Sequence, residues 1–314
     1  MSSTAAATLG PVTRPASSRT GLWVAFAVLY LVWGSTFLGI RIAVETMPPL
    51  AMAAIRFLVS GAVLLAASWR SLRRTTLRHW RSAAVAGALF FLGNHGLVSS
   101  AAPHLPTGLA SLIIATEVPI IAVLSSVLLP GHPLTRRGLV GAGIGLAGVA
   151  SLFVGSRMAG SAAPLWPALM VLGASITWSA GVVISQRLDA PEDPILRAGM
   201  QMVLGGAMLA ALAAVRGDLA LLAAGGASLR SVVALAYLVV FGSVLAFACF
   251  TWLLGRVRAD AVATHVFVNP LVAVALGTWL AGERLLPAHF VAGALILTSV
   301  LVITGAPRAP VRVD

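Results

Sequence analysis

Apolar residues in this chain come in long runs separated by short polar stretches. A helix needs about 20 mainly apolar residues to cross a bilayer. Ten runs reach that order of length, at roughly 22–41, 49–69, 82–102, 107–129, 138–155, 165–186, 194–215, 231–254, 260–281 and 288–306. Turn and breaker residues punctuate them: Pro48-Pro49, Pro103, Pro130-Gly131, Pro164, Pro191 and Pro287. Strand alternation is not evident, and the runs are about twice the length of a barrel strand. The expected fold is an all-α integral membrane protein with ten transmembrane helices. Residues 1–21 are small, polar and Pro-containing, and read as a flexible cytoplasmic tail rather than a signal peptide. Residues 307–314 read as a second cytoplasmic tail.

Composition supports this picture. Hydrophobic residues make up 59% of the 314 and charged residues 10%, against about 45–50% and about 25% in soluble domains. An ordinary soluble enzyme, a disordered chain and a nucleic-acid-binding domain are therefore excluded. The net charge of +12 comes from 21 basic and 9 acidic residues, and every basic residue is Arg. These arginines lie mostly between the apolar runs, as topology signals do. With the N-terminus inside, fourteen fall on the inner side: Arg14, Arg19, Arg70, Arg73, Arg74, Arg78, Arg81, Arg136, Arg137, Arg187, Arg256, Arg258, Arg308 and Arg312. Five fall outside (Arg41, Arg157, Arg216, Arg230 and Arg284), and Arg56 and Arg197 lie within spans. The expected location is the cell inner (cytoplasmic) membrane, with both termini cytoplasmic. The cluster Arg70–Arg81 is read as a topology anchor, with a lipid-headgroup or regulatory site as the alternative. The single cysteine, Cys249, allows neither an intrachain disulfide nor a cysteine metal site.

The two halves share a pattern. At a shift of 145 residues Trp33 meets Trp178, Pro49 meets Pro194, Arg56 meets Gln201 and Gly61 meets Gly206. At a shift of 151, Ala110 meets Ala261, Pro119 meets Pro270, Gly131 meets Gly282 and Leu134 meets Leu285. Each half would span the membrane five times. An odd number makes the second half enter from the opposite side, so the repeats, 22–155 and 165–306, are expected to be inverted, as in many secondary transporters.

Trp33-Gly34-Ser35-Thr36-Phe37, followed by Pro48-Pro49 and Arg56-Phe57, resembles the opening of an EamA-type member of the drug/metabolite transporter superfamily. Asn269-Pro270 through Gly282-Glu283-Arg284-Leu285 resembles the end of that family's second repeat, and Gly93-Asn94 and Thr107-Gly108-Leu109-Ala110 also fit. The resemblance covers about 22–306. It implies a ten-helix transporter of small metabolites or drugs, in bacteria usually an exporter. One departure is visible: Gly131-His132-Pro133-Leu134 stands where the family often has Gly-Glu-Arg-Leu.

Charged and polar residues at bilayer depth are costly and invite explanation. Eight of the nine acids lie in loops or at the C-terminus; Glu117 alone lies near the middle of a span. Pro119 removes a backbone donor beside it, so this helix is expected to bend. Glu117 reads as a proton- or cation-coupling group or the partner of an amine; a structural acid paired with another helix is the alternative. Arg56 could pair with Glu117, hold a substrate carboxylate, or snorkel outward. Arg197 is expected to snorkel to the inner surface. Asn94 and His95 fall in the third span, and His265 and Asn269 share a face of the ninth. Ser243 falls opposite Asn94 in the repeat alignment. Trp33 and Trp178 lie deep in their spans, away from the interfacial belt, where they either stack on substrate or fill space. Together these are the candidate substrate-binding residues. Gly138, Gly141, Gly143, Gly145 and Gly148 form a small-residue stripe, fitting a seam within the subunit or a dimer interface.

The function these features favour is secondary active transport of a small amphipathic solute by alternating access. The chain has no phosphate-cradling Gly-rich loop and no Lys, which argues against ATP as the driving force. A membrane-embedded enzyme such as a lipid-modifying transferase would need a convergent catalytic set, and none is visible. A passive channel would show a ring of like polar groups. No cofactor, metal site, catalytic residue or nucleic-acid partner is expected; the partners are the substrate and the bilayer, with the chain monomeric or homodimeric.

Overall fold

The computed structural model describes residues 19–131, 133–158, 165–254, 256–257, 259–262, 264–283 and 286–304, without the side chains of 152–158, 259 and 260. His132, Arg284-Leu285, most of the first tail and the whole of the second lie outside the described residues. So do Arg14, Arg258, Arg308 and Arg312 and the side chain of Arg157 from the topology reading.

All regular structure among the described residues is helical. The long helices are α1 (Arg19–Ala43), α2 (Pro49–Ala67), α3 (Leu77–His104), α4 (Thr107–Leu128), α5 (Arg136–Met158), α6 (Trp166–Ser185), α7 (Pro194–Val215), α8 (Leu229–Leu254), α9 (His265–Ala281) and α10 (Pro287–Thr304). Among the described residues, eight are long and apolar enough to cross a membrane. That number leaves out α5, whose side chains are only partly described, and α9, which is shorter at 17 residues. Helix α1 starts at Arg19, so its first turn takes in the end of the expected tail.

The helix starts follow local chemistry. Proline opens α2, α7 and α10, where its missing N–H would have had no helical partner. At α7 the Asp193 carboxylate accepts from the Ile195 and Leu196 amides at 3.0 and 3.3 Å, satisfying first-turn donors. Ser228 does the same for α8 through Ser231 N–H at 3.2 Å.

Three helices depart from regular α geometry. Within α3, residues Ala88–His95 form a π-helical segment, and within α8 residues Leu238–Leu245 do the same. Such wide turns are rare and re-aim the side chains that follow. Helix α4 breaks at Ala115-Thr116 into Thr107–Ile114 and Glu117–Leu128. Thr116 Oγ1 folds back onto Ile113 O at 2.6 Å, competing with the helical ladder. Pro119 keeps the helix from closing the gap, because it has no N–H to give. The expected bend in this span is thus a full interruption. The expected ninth span, 260–281, likewise separates into a short turn, Ala259–Val262, and α9.

The glycine stripe of α5 lies against α10 of the same chain. A Cβ at Gly148 would meet Ile296 N at 3.1 Å, and one at Gly141 would overlap Ile303. Ser299 Oγ donates to Gly141 O at 2.6 Å across this contact. Gly141, Gly145 and Gly148 therefore form a seam within the subunit; Gly138 meets Leu134 and Thr135 just before its own helix, and the surroundings of Gly143 are open.

Candidate functional site

Helices α1, α2, α3, α4, α6, α7, α8 and α9 surround one cavity of about 180 Å³. Its walls include all nine candidates: Trp33, Arg56, Asn94, His95, Glu117, Trp178, Ser243, His265 and Asn269. They come from both halves of the chain, and the irregular segments present several of them. The π segment of α3 ends on Asn94 and His95, that of α8 carries Ser243, and the interruption in α4 places Glu117 in the first turn of its second segment.

The polar contacts are specific. Arg56 is buried and donates from Nε to Ser243 Oγ at 2.9 Å, linking α2 to α8. Among the described residues it makes no ion pair with Glu117. Asn94 Nδ2 donates to Ala174 O at 3.0 Å and reaches Glu117 Oε1 at 3.5 Å. Ser179 Oγ donates to the Glu117 carbonyl at 3.2 Å, tying the interruption to α6. Asn269, with its amide nitrogen turned toward two carbonyls, donates to His265 O and Tyr30 O at 3.2 Å. His265 Nδ1 lies 2.9 Å from Val262 O. His95 Nδ1 is buried without a hydrogen-bond partner among the described residues. Arg197 does not line this cavity; it folds back onto Pro191 O at 2.9 and 3.2 Å at the start of α7.

Aromatic rings complete the walls. Trp33 donates Nε1 to Gly242 O at 3.2 Å and sets its ring edge-on to His265 at 5.1 Å. Trp178 packs on Phe90 at 4.8 Å and meets His95 edge-on at 6.3 Å. Phe57, Phe91 and His95 form a cluster: Phe57 lies 4.6 Å from Phe91 and 4.7 Å from His95, while Phe91 stacks on His95 at 5.8 Å. Sequence reasoning missed Phe57, Phe91, Phe247, Thr36 and Ser111, which also line the cavity. Two signals were available: Phe57 follows Arg56 directly, and Phe91 stands four residues before His95, on the same helix face.

The EamA-like transporter family matches residues 20–154 and again 165–305. The chain belongs to this family. Several of its relatives cover nearly the whole chain. An Escherichia coli K12 protein named uncharacterized inner membrane transporter YedA is 35% identical over 286 residues, 90% of each chain. A Bacillus subtilis protein named uncharacterized transporter YvbV is 25% identical, over 93% of each chain. An E. coli K12 protein named probable amino-acid metabolite efflux pump is 24% identical, over 88% of this chain and 92% of its own. A crystal structure 23% identical in sequence superposes with a TM-score of 0.59, covering 91% of this chain and 96% of the other. That likeness concerns the fold. As an EamA-like chain, this protein has a cavity lined by polar and aromatic side chains from helices of both matched regions.

Proposed function

We propose that this protein is a secondary active exporter of a small amphipathic metabolite or drug across the inner membrane, working by alternating access around the cavity. In this reading ten spans form two inverted five-helix repeats, 22–155 and 165–306, with both termini in the cytoplasm. The paired irregularities support the repeats: each half has one helix with a π segment, followed by one interrupted before a proline. The YedA relative supports the inner-membrane location. The efflux-pump relative supports export and a solute of amino-acid-metabolite type.

The observation that carries the reading is the cavity itself. Polar and aromatic side chains from both halves face one cavity, as expected of a substrate site at a repeat interface. Trp33 and Trp178 flank the solute, Arg56, Asn94, His95, Ser243, His265 and Asn269 supply polar contacts, and Glu117 exchanges protons as access alternates. The test is a metabolite screen in cells lacking or overproducing the protein, reading both medium and cytoplasm. At least one solute should accumulate inside without the protein and outside in its excess. Trp178→Ala and Asn269→Ala should reduce that export by about tenfold or more, with membrane protein levels unchanged. Normal export by both variants would move the site elsewhere.

A further inference from the structure

The cavity holds a cation whose counter-charge is missing. Arg56 rises from α2 and is 4% exposed. Its Nε is committed to Ser243 Oγ. Its two terminal nitrogens have no hydrogen bond or ion pair among the described residues. They are not sealed in the packing either: among the described residues the buried side-chain atoms without partners are His95 Nδ1 and Ser185 Oγ. The end of the guanidinium therefore borders the open space. Gly242 keeps it clear, since a Cβ there would stand 3.3 Å from Nη2.

The guanidinium carbon lies 4.8 Å from the centre of the Phe57 ring, a contact that offsets part of the charge but supplies no anion. A guanidinium without a counter-ion in a low-dielectric site is costly, and an incoming anion relieves that cost. The geometry narrows the choice of anion. With Nε occupied, the free edge is the end-on pair Nη1 and Nη2, two parallel donors that match the two oxygens of a carboxylate. A phosphate monoester carries more charge than one cation offsets, and Arg56 shares the wall with the acid Glu117 and with the rings of Phe57 and Phe91. Glu117 is the acid on the cavity wall and lies outside ion-pair distance of Arg56, so the fork is not already filled.

We infer that the free fork of Arg56, held in orientation by Ser243, is the carboxylate anchor of this cavity, and that the protein selects solutes bearing a carboxylate. The inference rests on the transporter reading above. Because Arg56 and Ser243 belong to different halves, the anchor is complete only while the two halves keep this arrangement.

The test uses the full-length protein in lipid nanodiscs and two probes of the same shape, 3-phenylpropanoate and 3-phenylpropanamide, with binding read calorimetrically. The acid should bind about tenfold or more tighter than the amide. Arg56→Gln should erase that preference, and Arg56→Lys, which keeps charge but not the fork, should restore only part of it. Ser243→Ala should narrow it without removing the cation, and serves if Arg56→Gln does not fold. Equal binding of acid and amide, no binding of either, or a preference that survives in both Arg56→Gln and Ser243→Ala would overturn the assignment. Flux in proteoliposomes separates the two claims. Equal transport of acid and amide defeats the anchor and leaves the transporter reading standing. Acid-selective binding without flux of any solute defeats the transporter reading and leaves the anchor.

Discussion

Glu117 opens the second segment of α4, with Asn94 at 3.5 Å as its hydrogen-bond donor among the described residues. A carboxyl so placed is held loosely, and among the described residues no cation lies within ion-pair distance of it. That is what a proton-exchanging group requires and what a structural ion pair lacks. Glu117→Gln keeps the shape and removes the exchangeable proton. It should abolish uphill movement driven by a pH gradient, while exchange between equal solute concentrations stays within about twofold. Uphill transport with an unchanged pH profile in Glu117→Gln would make Glu117 structural. The residue was legible in the sequence because a lone acid inside an apolar run is conspicuous. Phe57 and Phe91 were not, because a phenylalanine in such a run looks the same whether it faces a cavity, another helix or lipid.

The elements are joined at their ends as much as along their lengths. Glu283, just beyond α9, accepts the Thr107 amide at 2.9 and 2.8 Å and the Thr107 hydroxyl at 2.9 Å. Its carboxylate thus caps the start of α4, where first-turn N–H groups lack helical partners. Arg41 at the end of α1 stands 3.7 Å from the same carboxylate and also donates to Ala102 O and Leu105 O at 3.3 and 3.2 Å. The ends of α1, α3 and α9 and the start of α4 therefore meet on one face. Glu283→Ala should lower stability by about 0.5–2 kcal/mol through loss of the cap, read as a lower unfolding midpoint in detergent. Loss of the ion pair alone is worth about 0–1 kcal/mol, since the Arg41 side chain is 35% exposed. The loss in Glu283→Ala should therefore survive in an Arg41→Ala background. Helix existence was legible from run length, and the starts of α2, α7 and α10 from proline. The π segments and the split of α4 were not. The split depends on how Thr116 and Ser179 satisfy backbone carbonyls of α4, which run length does not encode.

For the whole molecule, the meeting of Arg41, Leu105, Thr107 and Glu283 fits an arrangement in which α1, α3 and α9 run the same way and α4 returns. In the proposed topology, which rests on the arginine distribution, that face is the outer one. A reporter fused after residue 314 should then be active only in its cytoplasmic form; activity in its external form would mean an odd number of spans and repeats that are not inverted. The convergence of residues far apart in sequence, Trp33 with His265 or Arg56 with Ser243, was legible only as a shared depth. Which side chains touch depends on helix rotation, which run length does not encode. The central claim is that one cavity serves the two faces in turn. It is tested by replacing Cys249 with Ser and placing a cysteine at Ser111, a cavity-lining position with a near-isosteric side chain. A membrane-impermeant thiol reagent is then applied from either side. Alternating access requires labelling from both faces, with a transported solute or an imposed pH gradient raising one rate as it lowers the other. Labelling from a single face under every condition, or from both faces with rates that rise and fall together, would contradict it.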